Sequence, residues 1–379
     1  MGDKLRFGML GGGEGAFIGQ VHRMAAELDG LAQLVCGAFA STPEKSRRSG
    51  TALYGLDEAR CYDTYTDMYA AERALPETER MHFVVIAAPN HVHFEAARQA
   101  LASGFHVVCD KPLCLTVAEA RMLQQAVAAS GLQFAVTYNY TGYPMLQEAR
   151  SLIASGELGA IRRVQCEYLQ GWLAAPQPAN KQAAWRTDPS RAGAAGAFGD
   201  IGSHAENLIA YVTGLTITEL CADLTTFVPG RALDDDGNVL LRFAGGARGV
   251  LSVSQIAVGR ENGLALAVYG DRGSVSWRQR EANSLTVRRV DGAEEVRRTG
   301  GAGLSEAAAA GARLPAGHPE GYLEAFANVY RNFCLCLGGA AAAEHGYPGV
   351  TDGLRGMQFI EAVVRSRGAW VTPGADTDA

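Results

Sequence analysis

Three side chains in this sequence are suited to moving a proton: Lys111, in the run Cys109-Asp110-Lys111-Pro112, and Asp200 and His204, in FGDIGSHAEN. Asp200 and His204 stand four apart, so they share one face where that run is helical. Asp200 then either orients His204 or points with it at one ligand. An imidazole changes charge nearest neutrality and suits a general base, while an ammonium stabilises a developing alkoxide and lowers the pKa of an alcohol. The combination fits removal of a hydroxyl proton as a hydride leaves the same carbon. Singly, each is equally an ordinary surface lysine, helix-terminal aspartate or half-buried histidine. With His204 as the base, oxidation is expected to rise with pH as the imidazole loses its proton.

A leaving hydride needs an acceptor, and residues 11–23, GGGEGAFIGQVHR, offer a place for one. They hold five glycines in their first nine positions, directly after the apolar run Phe7 to Leu10. A strand, a glycine loop and a helix in that order present backbone N–H groups and a helix N-terminus to a pyrophosphate. Gly11 permits the tight turn and Gly13 permits close approach of the phosphates. Two spacings are open for the third small residue. Ala16 completes G-x-G-x-x-A, whereas Gly19 takes that place in a loop three residues longer, which is favoured because Gly19 precedes Gln-Val-His-Arg on the first helical turns. Phe17 and Ile18 open that helix. Glu14 is awkward beside a diphosphate and is expected to turn to solvent. In NAD-binding folds an acid closing the second strand takes the adenosine ribose hydroxyls, but here Ala40 and Ser41 stand at that point of GAFASTPEKSRR. Ser41, Lys45, Arg47 and Arg48 either surround a 2′-phosphate or form a solvated helical turn. NAD is the expected cofactor, with NADP left open.

The elements that must position these groups follow from periodicity. Apolar runs at 5–10, 31–40, 83–88 and 105–110 alternate with helical spacing at 18–28, 94–103 and 117–130, and QFAVTY closes the series. That βαβ rhythm implies a mostly parallel sheet over residues 1–135, with Lys111 at the carboxyl end of a strand, where ligands bind in such sheets. From 136 to 379 the pattern changes to alternating strands at 161–173, 217–227, 238–257, 263–277 and 284–290, with an Asp-Gly hairpin signal in RVDGAEEV. The fold class is therefore α/β plus α+β: a dinucleotide-binding domain, then a domain with a large, mostly antiparallel open sheet. Helices are expected near 200–213, 319–338 and 351–366, and long loops at 174–197 and 300–317.

Composition narrows the partners. The 379 residues are 47% apolar and 20% charged, with a net charge of −6, which gives no general attraction for nucleic acid or anionic membrane. The length suits two cores, since single cores stop growing near roughly 250 to 300 residues. No apolar run approaches the ~20 residues of a membrane span, and a cytoplasmic location is expected. The eight cysteines are spread through the elements and read as reduced thiols. Cys334-Leu-Cys336 and His91-Val-His93 have no second pair at zinc-site spacing, so no metal is expected. Cys109 raises a covalent thiolate alternative, against which its place in an apolar strand argues.

Five blocks carry a resemblance: the glycine loop with IGQVHR, then AAPNHVHFEAARQALASGFHVVCDKPL, GAFGDIGSHAENLI, VYGDRGSVSW and DGLRGMQFIEAVVRS. In this order they resemble the Gfo/Idh/MocA oxidoreductases. The resemblance implies a Rossmann domain, a sheet-rich second domain often used for oligomerisation, and NAD(P)-dependent oxidation or reduction of a sugar or cyclic polyol. It implies that Asn90 touches the nicotinamide end of the cofactor, within a cofactor-binding stretch that takes in Pro89 and His93. It also places Asp110 where the family has Glu before its catalytic lysine, here Lys111. Where many members have Asn-Arg-Arg-x-x-Pro, this chain has Asn139-Tyr140-Thr141-Gly142-Tyr143-Pro144, which weakens transfer of the substrate by analogy. Tyr138, Asn139, Trp185, Arg186, His318 and Tyr322 are the expected substrate-pocket residues, with Trp185 stacking on a ring face and Arg186 binding hydroxyls or a carboxylate. The leading reading is a dehydrogenase of a secondary alcohol on a sugar, sugar derivative or cyclitol, assembled as a dimer or tetramer. A keto-sugar reductase and a non-catalytic dinucleotide sensor are the alternatives.

Overall fold

The computed structural model describes residues 4–340 and 346–375. The chain forms two compact units, Met1–Thr137 with Phe326–Leu354, and Tyr138–Ala325 with Arg355–Ala379. The sequence pattern places a single boundary at 135/136. It misses the return of the chain to the first unit because helix Tyr322–Leu337 shows the same helical period whichever core it joins.

In the first unit, β1 (Leu5–Gly11), β2 (Ala32–Ala38), β3 (Phe83–Ala87), β4 (His106–Cys109) and β5 (Phe134–Val136) form a parallel sheet in the order β2-β1-β3-β4-β5. β3, FVVIA, is buried along its whole length, as a central parallel strand covered on both faces must be. Phe83 stacks on Phe7 at 5.3 Å and meets the edge of Phe333, on the returning helix, at the same distance. Burying such side chains contributes about 1.5–3 kcal/mol each. The register pairs Gly11 with Ala87 and Ile86 with Cys109, so the loops that follow β1, β3 and β4 open at one sheet edge. That edge includes the reversal of strand order between β1 and β3, where ligands bind in open α/β sheets. Between β2 and β3 lie helix Pro43–Arg48, which carries the basic run for which a helical turn is one expectation, and helix Tyr65–Ala74, which the periodicity does not reveal.

In the second unit, β6 (Ile161–Leu169), β7 (Ile217–Thr225), β8 (Asp236–Phe243), β9 (Arg248–Ser254), β10 (Gly263–Gly270), β11 (Gly273–Arg278), β12 (Ser284–Arg289) and β13 (Glu295–Arg298) form one open sheet. Its order is β13-β12-β11-β10-β6-β9-β8-β7, antiparallel except where β6 pairs with β9. Alternate residues are buried: Val164, Cys166 and Tyr168 of β6, and Leu264, Leu266 and Val268 of β10. The expected strand 238–257 is a hairpin, turned at Gly245 and Gly246 with φ of 81° and 95°. The run 263–277 likewise breaks between β10 and β11. The Asp-Gly signal lies between β12 and β13, which pair as a hairpin. The two stretches expected as loops contain short helices at Lys181–Arg186, Pro189–Ala192 and Glu306–Gly311, whose N-caps are Asn180, Asp188 and Ser305. Capping side chains fold these segments despite their Ala, Gly and Pro content.

The helix expected at 200–213 has two parts. Phe198–Gly202 is a wide π-type turn carrying Asp200, and Ser203–Thr213 is an α-helix that ends at Gly214 in the left-handed conformation.

Candidate active site

After β1 the chain turns at Gly11, where φ is 81° and a Cβ would sit 2.4 Å from the Ala87 carbonyl oxygen. Gly12 and Gly19 then meet backbone to backbone: a Cβ on Gly19 would lie 2.3 Å from Gly12 Cα. Gly19 is thus the small residue that lets the helix pack on the loop, and the loop is the longer of the two forms. Ala16 is the N-cap of helix Phe17–Glu27 and supplies no side-chain cap; no acid lies in the first turn. The first N–H groups of that helix are therefore left for an anion, and the loop fits a pyrophosphate. Phe17 is 69% exposed and Ile18 half-buried beside it.

Gly13 has a second reason to be glycine. Its N–H donates to Phe39 O at 3.0 Å, and a Cβ would lie 2.5 Å from the same oxygen, so this glycine binds the loop to the segment after β2. Glu14 does not turn away alone but pairs with Arg48 at 2.7 Å. Arg47 grips Asp63 with two hydrogen bonds of 2.9 Å. Ser41 is exposed and Lys45 half-buried. The two arginines of the basic run are therefore already neutralised by carboxylates.

At the ends of β3 and β4, Pro89 caps helix Asn90–Ala102 and Asn90, its first residue, is buried. His93 is corrected by the structure from a cofactor contact to an internal brace. It is fully buried, with Nδ1 2.9 Å from Pro112 O and Nε2 2.8 Å from Ala88 O, so both ring nitrogens face carbonyls of the loops they join. Burial holds its pKa down, outweighing the opposing pull of Asp110. Asp110 Oδ1 accepts the Thr137 hydroxyl at 2.6 Å and the Lys111 N–H at 3.1 Å. Burial pushes the Asp110 carboxyl up, but His22, Lys111 and Thr137 together hold it well below the usual range. Asp110 is thus committed within the protein and anchors the main chain of Lys111. Cys109 is buried and its thiol is pushed far up by burial, which removes the thiolate alternative.

In the second unit, Asp200 Oδ2 accepts Arg186 Nε at 3.0 Å and Gln255 Nε2 at 2.9 Å. Arg186 also donates to Gln182 Oε1 at 2.8 Å, and its guanidinium lies 4.2 Å from the Trp185 ring centre and 5.8 Å from that of Trp172. His204, 7% exposed, is surrounded by aromatic rings: Tyr140 at 4.8 Å, Tyr138 at 5.8 Å and Tyr168 at 6.3 Å. Tyr322 joins this cluster through Tyr140 at 6.3 Å. The Tyr140 and Tyr168 hydroxyls lie 2.5 Å apart, and both meet the Asn262 side chain. Tyr138 and Asn139 are 1% exposed. Both are too deeply buried to line an open pocket, a correction to their reading as substrate residues. His318 is exposed, with Nδ1 3.1 Å from Pro315 O.

The comparisons agree with this architecture. Residues 5–138 match the oxidoreductase family with the NAD-binding Rossmann fold, and residues 146–276 match the GFO/IDH/MocA C-terminal domain. An uncharacterized oxidoreductase of Bacillus subtilis, YfiI, is 34% identical over 375 residues, 96% of this chain and 94% of that protein. The chain belongs to this family. The crystal structure of an inositol dehydrogenase homolog from Azotobacter vinelandii complexed with NAD+ is similar at a TM-score of 0.93 and 35% identity, over 97% of each chain. Levoglucosan dehydrogenase of Pseudarthrobacter phenanthrenivorans is 29% identical over 306 residues, 75% of this chain and 76% of that protein. This GFO/IDH/MocA protein is accordingly an NAD-binding oxidoreductase, and the sensor alternative is set aside.

Several residues of this oxidoreductase were missed in the sequence. Asp234 is 9% exposed and accepts the N–H groups of Gly196 at 2.6 Å and Phe198 at 2.9 Å, clamping the turn that carries Asp200. Trp172, Gln255 and Asn262 join the cluster from the ends of strands. Their one signal is position, since polar or aromatic residues just past a strand end are placed to line a site.

Proposed function

We propose that this protein oxidises a secondary hydroxyl on a neutral, polyhydroxylated ring, with NAD as hydride acceptor. The observation that carries the substrate class is the commitment of Arg186. Its charge is met by Asp200, and its faces by two indole rings. An acidic or phosphorylated substrate would find this cation already neutralised and would meet the Asp200 carboxylate. Hydroxyl groups, by contrast, suit Asp200, Gln255 and Asn262, and the CH face of a ring suits Trp172 and Trp185. The two dehydrogenase relatives are named for inositol and levoglucosan, both neutral rings.

In this reading His204 takes the hydroxyl proton and Lys111 stabilises the alkoxide that forms. NAD, when bound, supplies the carbon that accepts the hydride. The glycine loop and the uncapped N-terminus of helix Phe17–Glu27 hold its pyrophosphate, and Asn90 lies toward its nicotinamide. Trp185, Arg186 and Tyr322 border the substrate. The decisive experiment is a screen of cyclitols, hexoses, anhydrosugars, sugar acids and sugar phosphates, read as NADH absorbance. Turnover of neutral rings is expected; turnover confined to acids or phosphates overturns the reading.

We also propose a homo-oligomer joined through the outer face of the eight-stranded sheet. The small residues Ala265 and Ala267 of β10 are half-exposed there, and Leu240 of β8 and Tyr269 are 49% and 39% exposed. A dimer or tetramer in sedimentation velocity that Ala267→Arg dissociates is the expected result. A cytoplasmic location fits eight free cysteines, and among the described residues no helix is long and apolar enough to cross a membrane.

A further inference from the structure

His22, five residues into the helix that starts at the glycine loop, is fully buried in the first unit. Nothing in the reading above uses it. Its ring stands edge-on to Phe326 at 4.9 Å, and its Nδ1 is 2.6 Å from the Tyr330 hydroxyl. Burial keeps the Tyr330 phenol protonated, so its hydroxyl has a proton to give to Nδ1, and the tautomer of His22 decides which of the two atoms donates; we take Tyr330 as the donor. The ring proton is then on Nε2, which makes no hydrogen bond and faces Asp110 Oδ2 at 3.8 Å. The other carboxylate oxygen of Asp110 takes the Lys111 N–H and the Thr137 hydroxyl. A chain of groups thus runs from Tyr330, on helix Tyr322–Leu337, through His22, on helix Phe17–Glu27, and Asp110 to the main chain of Lys111.

We propose that His22 is a positioning residue for hydride transfer: fixed as the Nε2–H tautomer by Tyr330, it orients the Asp110 carboxylate that holds Lys111. The proposal rests on the assignment of Lys111 to alkoxide stabilisation. The requirement is geometric, since a reacting group displaced by about 1 Å can cost ~10²-fold in rate. Glutamine places an amide N–H near the position of Nε2; leucine fills the same apolar space with no donor.

The test uses the full-length protein with the most active neutral substrate. His22→Leu should lower kcat roughly 10- to 100-fold, while the NAD dissociation constant stays near wild type and the melting temperature falls, because the buried Tyr330 hydroxyl loses its partner. His22→Gln should recover most of kcat. Equal turnover in the two variants, which a packing role predicts, overturns the proposal. Lys111→Met separates this from failure of the underlying reading: if Lys111→Met keeps wild-type turnover, the role of Lys111 falls, whereas if it loses turnover and His22→Leu does not, the role of His22 alone falls. Should His22→Leu not fold, ¹⁵N-histidine NMR decides without activity. The signal that disappears in His22→Gln should report an Nε2–H tautomer in the wild type and lose that preference in Tyr330→Phe. An Nδ1–H tautomer in the wild type, or a tautomer indifferent to Tyr330, overturns the proposal.

Discussion

Around residues 11–19 the working surface is main chain. Gly11, Gly12 and Gly19 matter because a Cβ at each would strike backbone, and the groups offered to a ligand are the N–H groups of an uncapped helix. Around Asp200 the working groups are side chains brought from far apart: Arg186 from a six-residue helix, Gln255 from the end of β9, Asn262 from the start of β10 and His204 from a helix lying on the sheet. A site made of backbone is insensitive to side-chain identity except where there must be none. A site made of side chains changes its ligand with each substitution on a constant scaffold. In the function proposed above, the first region serves the cofactor and the second the substrate.

Removing the base should give the largest effect and draw the sharpest line between the regions. His204→Asn is expected to lower kcat about 10²- to 10⁴-fold, the usual worth of a positioned base, while the NAD dissociation constant, followed by fluorescence, changes less than ~2-fold. Lys111→Met should cost a similar factor in kcat. The double variant should lose less than the product of the two if both serve one proton transfer. A His204→Asn enzyme that binds NAD poorly would instead make His204 part of the cofactor site and dissolve the distinction.

The complementary break is Gly19→Ala. With Gly12 Cα only 2.3 Å from the new Cβ, the loop must shift. Overpacking of this kind costs about 1–3 kcal/mol, which should appear as a roughly 5- to 150-fold weaker NAD dissociation constant. The kcat at saturating NAD should move far less. Ala16→Gly at the neighbouring cap should leave binding almost unchanged, since Ala16 supplies no side-chain cap to the helix and glycine is tolerated at an N-cap. Equal sensitivity at 16 and 19 would contradict the longer loop.

This contrast also explains what could be read from the chain before its fold was known. The glycine loop, the βαβ rhythm and the second sheet were legible because each depends on local spacing. The same holds for the position of Lys111 just past β4. His93 was misread because its place beside Asn90 is local, whereas its partners, the carbonyls of Ala88 and Pro112, are set by two loops meeting in space. Tyr138 was misread for a related reason: burial depends on what covers a residue, and here that cover includes the ring of His204. Asp234 and Gln255 left almost no trace, since nothing local distinguishes an aspartate that clamps a distant turn from one exposed in a loop. Function carried by long-range side-chain contacts is the part that a single sequence hides.

Gln255→Leu probes the side-chain region more gently. It removes the Gln255 hydrogen bond to Asp200 Oδ2 while keeping the volume. Loss of a hydrogen bond to a charged group is worth about 1.5–3 kcal/mol, and the retained Arg186 contact should hold the effect near the lower bound, roughly 10-fold in kcat/KM with NAD binding unchanged. In the first unit, Asp110→Asn should alter the pH dependence of stability. The folded state holds this carboxyl below its ordinary value of 3.8, so its ionised form stabilises the fold above that pH, and the contribution is lost as pH falls toward the depressed pKa. The melting-temperature gap between wild type and Asp110→Asn should be widest near neutrality and narrow below about pH 4. A gap that is constant with pH would mean that the carboxylate charge contributes nothing.

The smallest expected effect lies at the margin of the backbone region, where side chains decide between NAD and NADP. Arg47 is held by Asp63 through two hydrogen bonds, and Arg48 by Glu14; all four side chains are about a third exposed or more. Exposed pairs of this kind are weak and screened by salt. Asp63→Asn would release Arg47 without removing it. If Arg47 faces the 2′-position of the adenosine ribose, NADP affinity should rise about two- to fivefold at low ionic strength, with NAD unaffected. Because the Debye length falls from about 10 Å at 0.1 M salt to ~3 Å at 1 M, the gain should vanish in concentrated salt. A gain for NAD and NADP alike would instead point to a loop made more mobile. No gain for either would take Arg47 out of the cofactor site and leave the basic run as the outer face of a short helix. Main-chain geometry would then be the whole of what this region offers the dinucleotide.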